Sequence, residues 1–474
     1  MHLDSQQHRA TQPPTITTLA QLRASGHEYR GVRAEIRANL LVMMRAGQDP
    51  FPGIVGFGQT VLPHLERALI AGHDIILLGE RGQGKTRLIR TLVGLLDEWT
   101  PVIEGCEIND HPYRPACARC RRLAAELGDD LPVTWRYASE RYGEKLATPD
   151  TSVGDLIGDI DPVKVAEGRT LGDPETIHFG LVPRTNRGIF SLNELPDLAE
   201  RIQVSLLNVM EERDIGIRGY ALRLPLDLLL VASANPEDYT NRGRIITPLK
   251  DRFGAEIRTH YPLSLSDELT LIRQEARVST GAELPDHLVE VIARFTRLVR
   301  ASPAVDSRSG VSARFAIAAA ESAAASAVRR AALTGEDRPV ARICDLPPVV
   351  TSLRGKVEFE VSEEGREQEV LEHLLRRATN DTFRSRLGNA DLSGLLALFE
   401  GGGTVETGEL VPATDLLARI GEVSGLAKIM QRLGVDGSES LGQAAAAVEF
   451  ALEGLYLMRR LSKDTVDGGA VYRT

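Results

Sequence analysis

The sequence predicts an α/β domain built on a parallel sheet, followed by a long helical region. Three observations support this prediction. First, the apolar run 73–79 (HDIILLG) leads into a glycine-rich loop and a helical pattern, which is half of a βαβ unit. Second, the apolar runs 188–192 and 226–232 have the composition of strands buried on both faces, as in parallel sheets. Third, helical spacing replaces this alternation after Pro262.

The size and charge of the chain limit the classes of protein to consider. Its 474 residues exceed one ordinary core, so two to three domains are expected. The net charge of −10 argues against a dedicated nucleic-acid binder, which needs clustered Lys and Arg. No apolar segment reaches about 18 residues, and the first residues lack the core of a signal peptide. We therefore expect a cytoplasmic protein without a membrane span, in which four cysteines make no disulfide scaffold.

The order of segments predicts four regions. Residues 1–49 form a polar tail and a helix, and residues 50–262 form the α/β core. The core contains a cysteine-bearing insertion at 104–122. Residues 263–336 form a first helical region, and residues 337–474 form a mainly helical extension.

A phosphate-binding loop is predicted between the first strand and the first helix of the core. The segment 79–86 (GERGQGKT) fits the pattern G-x-x-x-x-G-K-[ST]. Its glycines let backbone N–H groups turn toward phosphate oxygens, and the helix N-terminus adds a favourable dipole. The lysine supplies a cation for the β- and γ-phosphates, and the threonine hydroxyl is placed to ligate Mg²⁺. The predicted nucleotide-binding residues here are Gly79, Glu80, Arg81, Gly82, Gln83, Gly84, Lys85, Thr86 and Arg87.

Hydrolysis of ATP also needs a carboxylate that orients water near the γ-phosphate. Glu194 is the candidate, because it follows the apolar strand 188–192. Asn193 stands where such sites usually carry an aspartate that holds the water shell of Mg²⁺. An amide brings no charge, so weaker Mg²⁺ binding or slower turnover is expected. The alternative is that Glu194 is only an acidic residue at a helix N-terminus.

A second polar residue follows another core strand. Asn235 comes after the run 226–232, and its amide can hydrogen-bond the attacking water or the γ-phosphate. An Asn-Pro pair alone is a common turn signal. The position of Asn235 after a buried strand makes the catalytic interpretation more specific.

Together these motifs resemble the AAA+ superfamily, and within it the magnesium chelatase I subunit and MoxR-like branch. The resemblance covers about residues 50–335. Its most specific part is 151–198, since many families have a P-loop. The resemblance implies an AAA+ core whose helical lid is the region 263–336. The segments that carry it are GIVG (53–56), GERGQGKT (79–86), TSVGDLIGDIDPVKVAEG (151–168), FGLVPRTNRGIFSLNELPDL (179–198), ANPEDY (234–239) and TPLKDRFG (247–254).

The resemblance also implies roles for four further residues. Arg252 looks like the arginine finger that reaches the ATP of a neighbouring subunit; the alternative is a surface arginine paired with Asp251. Arg314 looks like the sensor-2 arginine of the lid; the alternative is a solvated arginine. Ile54 and Val55 match the segment that packs on adenine in such ATPases.

A candidate zinc site lies in the insertion 104–122. Cys117-x-x-Cys120 is half of a zinc-knuckle pattern, and Cys106 is a third candidate ligand. His111 or Asp110 is the candidate for the fourth ligand, and related sequences often have a cysteine at the position of Asp110. A site of this kind is closed and structural. The alternative is three reduced thiols without metal.

The leading functional hypothesis is an ATP- and Mg²⁺-dependent motor that acts as a chaperone or in metal insertion. By resemblance it forms a homo-oligomeric ring, a hexamer, and works with a separate von Willebrand factor A domain protein. Insertions near 177–187 and 214–223 are expected to be hairpins that contact partners. Magnesium insertion into a porphyrin ranks below a MoxR-type role, because the extension 337–474 exceeds what a chelatase motor needs.

Two other hypotheses come from different classes of protein. A nucleotide-gated scaffold with weak hydrolysis is favoured by Asn193. A DNA-remodelling ATPase is disfavoured by the acidic charge of the chain.

Overall fold

The chain forms two compact units, each with its own hydrophobic core. The first unit holds the described residues through Gly79 together with Gly84–His260. The second holds Glu80–Gln83 together with Tyr261–Thr474. The structure, a computed structural model, describes residues 12–161, 163, 166, 176–212, 215–217, 220–222, 224–235, 244–278, 281–306, 310–421, 423–435, 440–466 and 469–474.

The strands of the first unit include the three apolar runs that the sequence predicts as core strands. These runs correspond to the strands Ile75–Leu78, Ile189–Asn193 and Leu229–Ala234. In chain order the strands are β1 (Ile75–Leu78), β2 (Trp99–Ile103), β3 (Val133–Tyr137), β4 (Tyr142–Leu146), β5 (Gly158–Ile160), β6 (Ile177–Phe179), β7 (Ile189–Asn193), β8 (Ile215–Ile217), β9 (Tyr220–Leu222), β10 (Leu229–Ala234) and β11 (Ala255–Arg258).

A five-stranded parallel sheet forms the centre of the first unit, and it confirms the predicted fold class. The strand order is β11-β1-β10-β7-β4, and every neighbouring pair is parallel. All residues of β1, β7 and β10 are buried, as expected for strands covered on both faces. The carboxyl ends of these strands therefore meet at one edge of the sheet, where open α/β sheets bind their ligands.

Helices cover both faces of this sheet. Ile75 and Leu77 of β1 belong to a core with the helices Val32–Arg45, Val61–Ala71 and Lys85–Thr91, whereas Ile76 and Leu78 belong to a core with the helix Glu200–Glu212. This division follows from the period of two along a strand. The helices of the first unit are α1 (Leu19–Ala24), α2 (Val32–Arg45), α3 (Val61–Ala71), α4 (Lys85–Thr91), α5 (Ala118–Leu127), α6 (Val153–Leu156), α7 (Leu181–Arg184), α8 (Glu200–Glu212) and α9 (Thr247–Arg252).

A buried ion pair ties α2 to the rest of the first unit. Arg141 donates to both carboxylate oxygens of Glu35 at 2.7 and 2.8 Å, and the two side chains are 1% and 4% exposed. Glu35 also accepts the backbone N–H of Asp97 at 2.6 Å. The Nε of Arg141 donates to the carbonyl oxygen of Arg187, just before β7. The helix that precedes residue 50 is therefore part of the core of this unit.

Short antiparallel pairs project from the first unit where hairpins are predicted. The pair β8–β9 falls within the predicted 214–223 segment. The pair β5–β6 joins Gly158–Ile160 to Ile177–Phe179, so this hairpin begins earlier than predicted, and residues 181–184 form helix α7. Gly180 packs closely against this hairpin, since a Cβ there would lie 2.5 Å from the carbonyl carbon of Leu156. The pair β2–β3 flanks the cysteine-bearing insertion.

The second unit is mainly helical, as predicted for residues after 262. Its core is continuous from Ile272 to Tyr472, so the predicted lid and the predicted extension share one set of packed side chains. Within the described ranges no helix is both long and apolar enough to cross a membrane. The elements are α10 (Leu265–Glu275), α11 (Asp286–Arg300), α12 (Ala313–Thr334), α13 (Pro347–Leu353), α14 (Glu367–Leu387), α15 (Ser393–Ala397), β12 (Val405–Gly408), α16 (Ala413–Ile420), α17 (Leu426–Arg432), α18 (Leu441–Leu457), β13 (Ser462–Val466) and β14 (Gly469–Arg473), and the strands form an antiparallel sheet in the order β12-β14-β13.

The core of the second unit contains a fully buried ion pair. The Nε of Arg342 lies 3.4 Å from Oε2 of Glu449 on α18, and neither side chain is exposed. Glu449 also accepts the backbone N–H of Cys344 at 2.8 Å. Arg342 donates to the carbonyl oxygens of Gly408 and Val411 at 3.0 and 2.6 Å. Burial raises the pKa of Glu449, and the charge of Arg342 opposes that rise.

Substituting Arg342 tests whether this pair supports the second unit. Arg342→Leu leaves Glu449 buried without a counter-charge, so we expect the free energy of unfolding to fall by about 3–5 kcal/mol. Urea unfolding followed by circular dichroism measures the change. Arg329→Leu is the matched control, because Arg329 and Glu409 pair with side chains 63% and 36% exposed. It should cost at most about 1 kcal/mol, and equal losses in the two variants would contradict the interpretation.

Candidate functional site

The carboxyl edge of the parallel sheet brings together three of the predicted site residues. The Nζ of Lys85, in the first turn of α4, donates to Asn235 Oδ1 at 2.8 Å and to the carbonyl oxygen of Gly79. The Nδ2 of Asn235 donates to Glu194 Oε2 at 2.8 Å. The ammonium, the amide and the carboxylate therefore form one hydrogen-bonded chain. Only 7% of Lys85 is exposed, so its charge depends on these partners.

The register of β7 and β10 accounts for this convergence. Ala232 of β10 lies opposite Leu192 of β7, so the residues that follow the two strands are neighbours. Glu194 has a φ of +55°, a left-handed conformation that is uncommon for a residue with a side chain. Its backbone N–H contacts the hydroxyl of Ser233 at 3.4 Å. Such conformations persist where the surrounding structure imposes them, and they cluster at functional sites.

A further carboxylate, absent from the predicted site, lies beside Asn193. Glu144 of β4 accepts a hydrogen bond from Asn193 Nδ2 at 2.8 Å. Arg90 of α4 donates its Nε and Nη2 to the two oxygens of Glu144 at 2.8 and 2.9 Å. Burial acts to raise the pKa of Glu144, but the hydrogen bonds from Arg90 and Tyr142 outweigh it, so this pKa lies below its usual value. The negative charge that Asn193 lacks is thus present on the neighbouring strand.

Residues 80–83 of the P-loop belong to the second unit and pack within it. The hydroxyl of Tyr261 donates to the carbonyl oxygen of Arg81 at 2.8 Å. Gly82 has a φ of +72°, and a Cβ there would lie 1.8 Å from the Oγ of Ser312. Ser312 caps α12, the helix that carries Arg314 in its first turn. Only glycine fits at position 82 of this loop.

The remaining predicted residues occupy separate places. Arg252 is 43% exposed at the end of α9 and pairs with Glu211 of α8 rather than with Asp251. Its role as a finger stays a prediction. The side chain of Arg314 is exposed. Other predicted nucleotide-binding residues have mixed environments: Ile54, Val55, Glu80 and Thr86 are half-buried, Gln83 is buried, and Arg87 is exposed.

The three cysteines of the insertion come together, and the fourth group beside them is Asp110. The prediction of His111 as a ligand is not supported by its position. The Nδ1 of His111 accepts the backbone N–H of Tyr113 at 3.0 Å, and its Nε2 lies 3.2 Å from the Nε2 of His27. Burial, followed by the charge of Arg187, lowers the pKa of His111 to about 2. The imidazole is therefore a neutral member of an aromatic cluster with His27, Tyr29 and Tyr113.

Sequence relatives of the chain are found among magnesium-chelatase subunits. No family model matches the chain. The magnesium-chelatase subunit ChlI of Guillardia theta is 30% identical over 218 residues, which are 44% of this chain and 58% of the relative. The magnesium-chelatase 38 kDa subunit of Rhodobacter capsulatus is 28% identical over 238 residues, covering 48% of this chain and 60% of the relative. The resemblance to magnesium chelatase I subunits is confirmed.

The similarity to these relatives extends over part of each sequence. The chain spans between half and two thirds of the length of the magnesium-chelatase relatives it matches. A structure of the complex between subunits BchI and BchD of magnesium chelatase, based on an electron cryo-microscopy reconstruction, is 21% identical. The match covers 68% of this chain and 98% of that chain, with a TM-score of 0.34.

Replacing Asn193 tests the charge arrangement beside Glu144. Asn193→Asp puts a second carboxylate against Glu144, so a hydrogen bond to a charged group becomes a repulsion. We expect the free energy of unfolding to fall by about 1–3 kcal/mol. Adding Glu144→Gln removes this repulsion but also weakens the pair with Arg90, so it should recover only part of the loss. Urea unfolding in a double-mutant cycle gives the coupling energy. Additive effects of the two substitutions would show that the side chains do not interact.

Proposed function

We propose that this chain is an ATP-hydrolysing motor of the magnesium chelatase I type. The observation that supports the proposal most directly is the hydrogen-bonded chain from Lys85 through Asn235 to Glu194. It places a cation for phosphate and a carboxylate for water at the carboxyl edge of a parallel sheet, where ligands of α/β folds bind. The names of the sequence relatives, which are magnesium-chelatase subunits, support the same type of ATPase.

The residues at this edge fit ATP with Mg²⁺. Gly84 has a φ of +78° and open space where a Cβ would lie, which suits backbone N–H groups that turn toward phosphate oxygens. Lys85 would hold the β- and γ-phosphates, and Thr86 and Asn193 would hold the Mg²⁺ shell, with Glu144 hydrogen-bonded to Asn193. When bound, Mg²⁺ would neutralise part of the negative charge of the phosphates. Ile54 and Val55 are proposed to pack on the adenine.

Glu194 is proposed as the base for hydrolysis. Its carboxylate accepts a proton from a water whose oxygen bonds to the γ-phosphorus. The bond between that phosphorus and the bridging oxygen of the β-phosphate breaks, and ADP and phosphate are the products. Asn235 donates to Glu194 and so orients the carboxylate before the reaction. A base that is already oriented lowers the reaction barrier more than a base that must be ordered during the reaction.

The proposed assembly is a homo-oligomeric ring, a hexamer, in which Arg252 reaches the ATP of a neighbouring subunit. Arg252 is accessible for that contact, and its pair with Glu211 involves two side chains that are each 43% exposed. Such surface pairs exchange at little cost in free energy. Arg314 is proposed to act as the sensor of the lid, contacting phosphate and linking nucleotide state to lid angle.

We also propose the setting in which such a motor works. A separate von Willebrand factor A domain protein is its partner, and a chaperone or MoxR-type remodelling role ranks above magnesium insertion. The compartment proposed is the cytoplasm. Zn²⁺ is a candidate second metal, in the cysteine-bearing insertion and apart from the Mg²⁺ of the nucleotide.

The ATPase rate per subunit, measured against protein concentration, tests the motor. We expect the rate to rise with concentration, because a ring must assemble. Glu194→Gln removes the base, and Arg252→Ala removes the finger, so each should lower the rate by about 10² to 10³-fold. Arg258→Ala is the matched control, because Arg258 is 83% exposed and has no proposed role. It should leave the rate unchanged.

Mixing the two inactive variants tests whether Arg252 acts on a neighbouring subunit. A mixed ring contains interfaces where an intact Glu194 faces an intact Arg252, so part of the ATPase activity should return. Failure to recover activity, in rings shown to mix, would place the action of Arg252 within its own subunit.

Asn193 favours one competing function, a nucleotide-gated scaffold with weak hydrolysis. In that case the wild-type chain binds ATP tightly, but its hydrolysis rate is negligible at every protein concentration. Equilibrium binding of ATP measured beside the ATPase rate distinguishes the scaffold from the motor.

A further inference from the structure

Four buried side chains converge in the insertion between β2 and β3. Cys106, Asp110, Cys117 and Cys120 each offer a sulfur or a carboxylate oxygen, and these four atoms all lie within 4.8 Å of one another. The residues are 5%, 1%, 8% and 0% exposed, in that order. We call this group the cysteine cluster. Its donor atoms face one another inside the first unit rather than facing solvent.

We propose that the cysteine cluster binds one Zn²⁺ ion in a closed, structural site. Zinc prefers four ligands at the corners of a tetrahedron, and three thiolates with one further donor suit that preference. Mg²⁺ and Ca²⁺ prefer oxygen ligands, so three sulfurs make them unsuitable here. The proposal stands on the insertion alone and does not depend on ATP hydrolysis.

Asp110 points to a cation independently of the cysteines. Its Oδ2 accepts the backbone N–H groups of Ala116 and Cys117 at 2.9 and 2.8 Å. Its Oδ1 is buried and has no hydrogen-bond partner among the residues that the structure describes. An isolated buried acceptor costs about 1–3 kcal/mol, so native proteins rarely retain one without a partner. A cation bound beside the three sulfurs by the Asp110 carboxylate would offset the cost of burying that carboxylate.

The backbone around the cysteine cluster suits thiolate ligands. The N–H of Asp110 points to the Sγ of Cys106, and the N–H of Cys120 points to the Sγ of Cys117, each at 3.3 Å. Cys117 is the N-cap residue of α5, so Cys117 and Cys120 lie on the first turn of that helix. Backbone donors and a helix N-terminus both stabilise the negative charge of a thiolate.

A disulfide accounts for these residues less well than a metal. Cys106, Cys117 and Cys120 are free thiols in the structure. A disulfide would join two of the sulfurs. It would leave the third sulfur and the Asp110 carboxylate buried without a shared ligand. A zinc ion uses all four groups at once.

The position of the cysteine cluster suggests what the ion would stabilise. Asn109 donates to the carbonyl oxygen of Arg184 at 2.7 Å, and Asn186 donates to the carbonyl oxygen of Ile108 at 2.9 Å. The segment 184–187 leads directly into β7, the strand that ends at Asn193. Fixing residues 106–110 therefore fixes the approach to this strand. The ion would act on the proposed catalytic edge only through this packing.

Metal analysis of the purified full chain tests the proposal. Mass-spectrometric elemental analysis should find about one zinc per chain in the wild type. Cys117→Ser should abolish that zinc. Cys344→Ser is the matched control, because Cys344 lies outside the cysteine cluster, and it should retain the full content. Co²⁺ added to zinc-depleted chain should give the thiolate-to-cobalt charge-transfer absorption of a tetrahedral site.

Asp110 has its own test, because a serine variant can lose metal merely by failing to fold. Asp110→Cys supplies a fourth thiolate, so it should keep one zinc and change the cobalt spectrum toward four sulfur ligands. Asp110→Ala should weaken zinc affinity by at least about tenfold. Losses of this size are already typical when a residue that only contacts a metal ligand is removed. An unchanged affinity in Asp110→Ala would remove Asp110 from the ligand set.

Two results on the wild-type chain would overturn the proposal. One is folded protein without zinc that also takes up neither Zn²⁺ nor Co²⁺ under reducing conditions. The other is an intact mass showing that the protein, isolated without added reductant, carries a disulfide within the cysteine cluster. Retention of zinc by Cys117→Ser at the level of Cys344→Ser would equally exclude this site.

Discussion

The buried ammonium of Lys85 is the charge on which the arrangement of the carboxyl edge depends. A cation removed from water is costly unless hydrogen bonds replace the water. The carbonyl oxygen of Gly79 and the amide oxygen of Asn235 provide them, and the other end of that amide then binds Glu194. Parallel pairing of β1, β10 and β7 delivers all of these groups to one edge. The strand order brings these groups together, and the hydrogen bonds from Lys85 through Asn235 orient the Glu194 carboxylate.

At the same edge, a carboxylate of one strand lies beside an amide of the neighbouring strand. Asn193 occupies the position expected for an aspartate, yet the site keeps a carboxylate because Glu144 of β4 approaches the amide from the side. Arg90 holds Glu144 with two hydrogen bonds, so the carboxylate is oriented as well as charged. Glu144 therefore carries the negative charge beside Asn193, and this charge is paired with Arg90.

Much of the fold and the centre of the site were predictable, because their signals are local. Glu194 and Asn235 each follow a run of apolar residues that fits a strand buried on both faces. Glu144 gave no such signal, since the edge strand β4 (YGEKL) mixes polar and apolar residues and its register against β7 depends on distant residues. The local sequence also gave no basis for choosing between Asp110 and His111 as the fourth candidate ligand. Asp110 lies beside the three sulfurs, whereas His111 packs with His27 and Tyr113, an outcome of tertiary contacts.

The pair between Glu35 and Arg141 bears on how the first unit can be isolated as a fragment. The sequence motifs predict that the core starts near residue 50, so a fragment designed from them would begin there. Such a truncation would remove α2 and with it the only acidic partner that the described residues show for the Arg141 guanidinium, whose side chain is 1% exposed. A buried guanidinium without its counter-ion destabilises a fold by several kcal/mol, about 3–5 in comparable cases. A folded fragment of the first unit therefore has to retain α2, which begins at Val32 and carries Glu35.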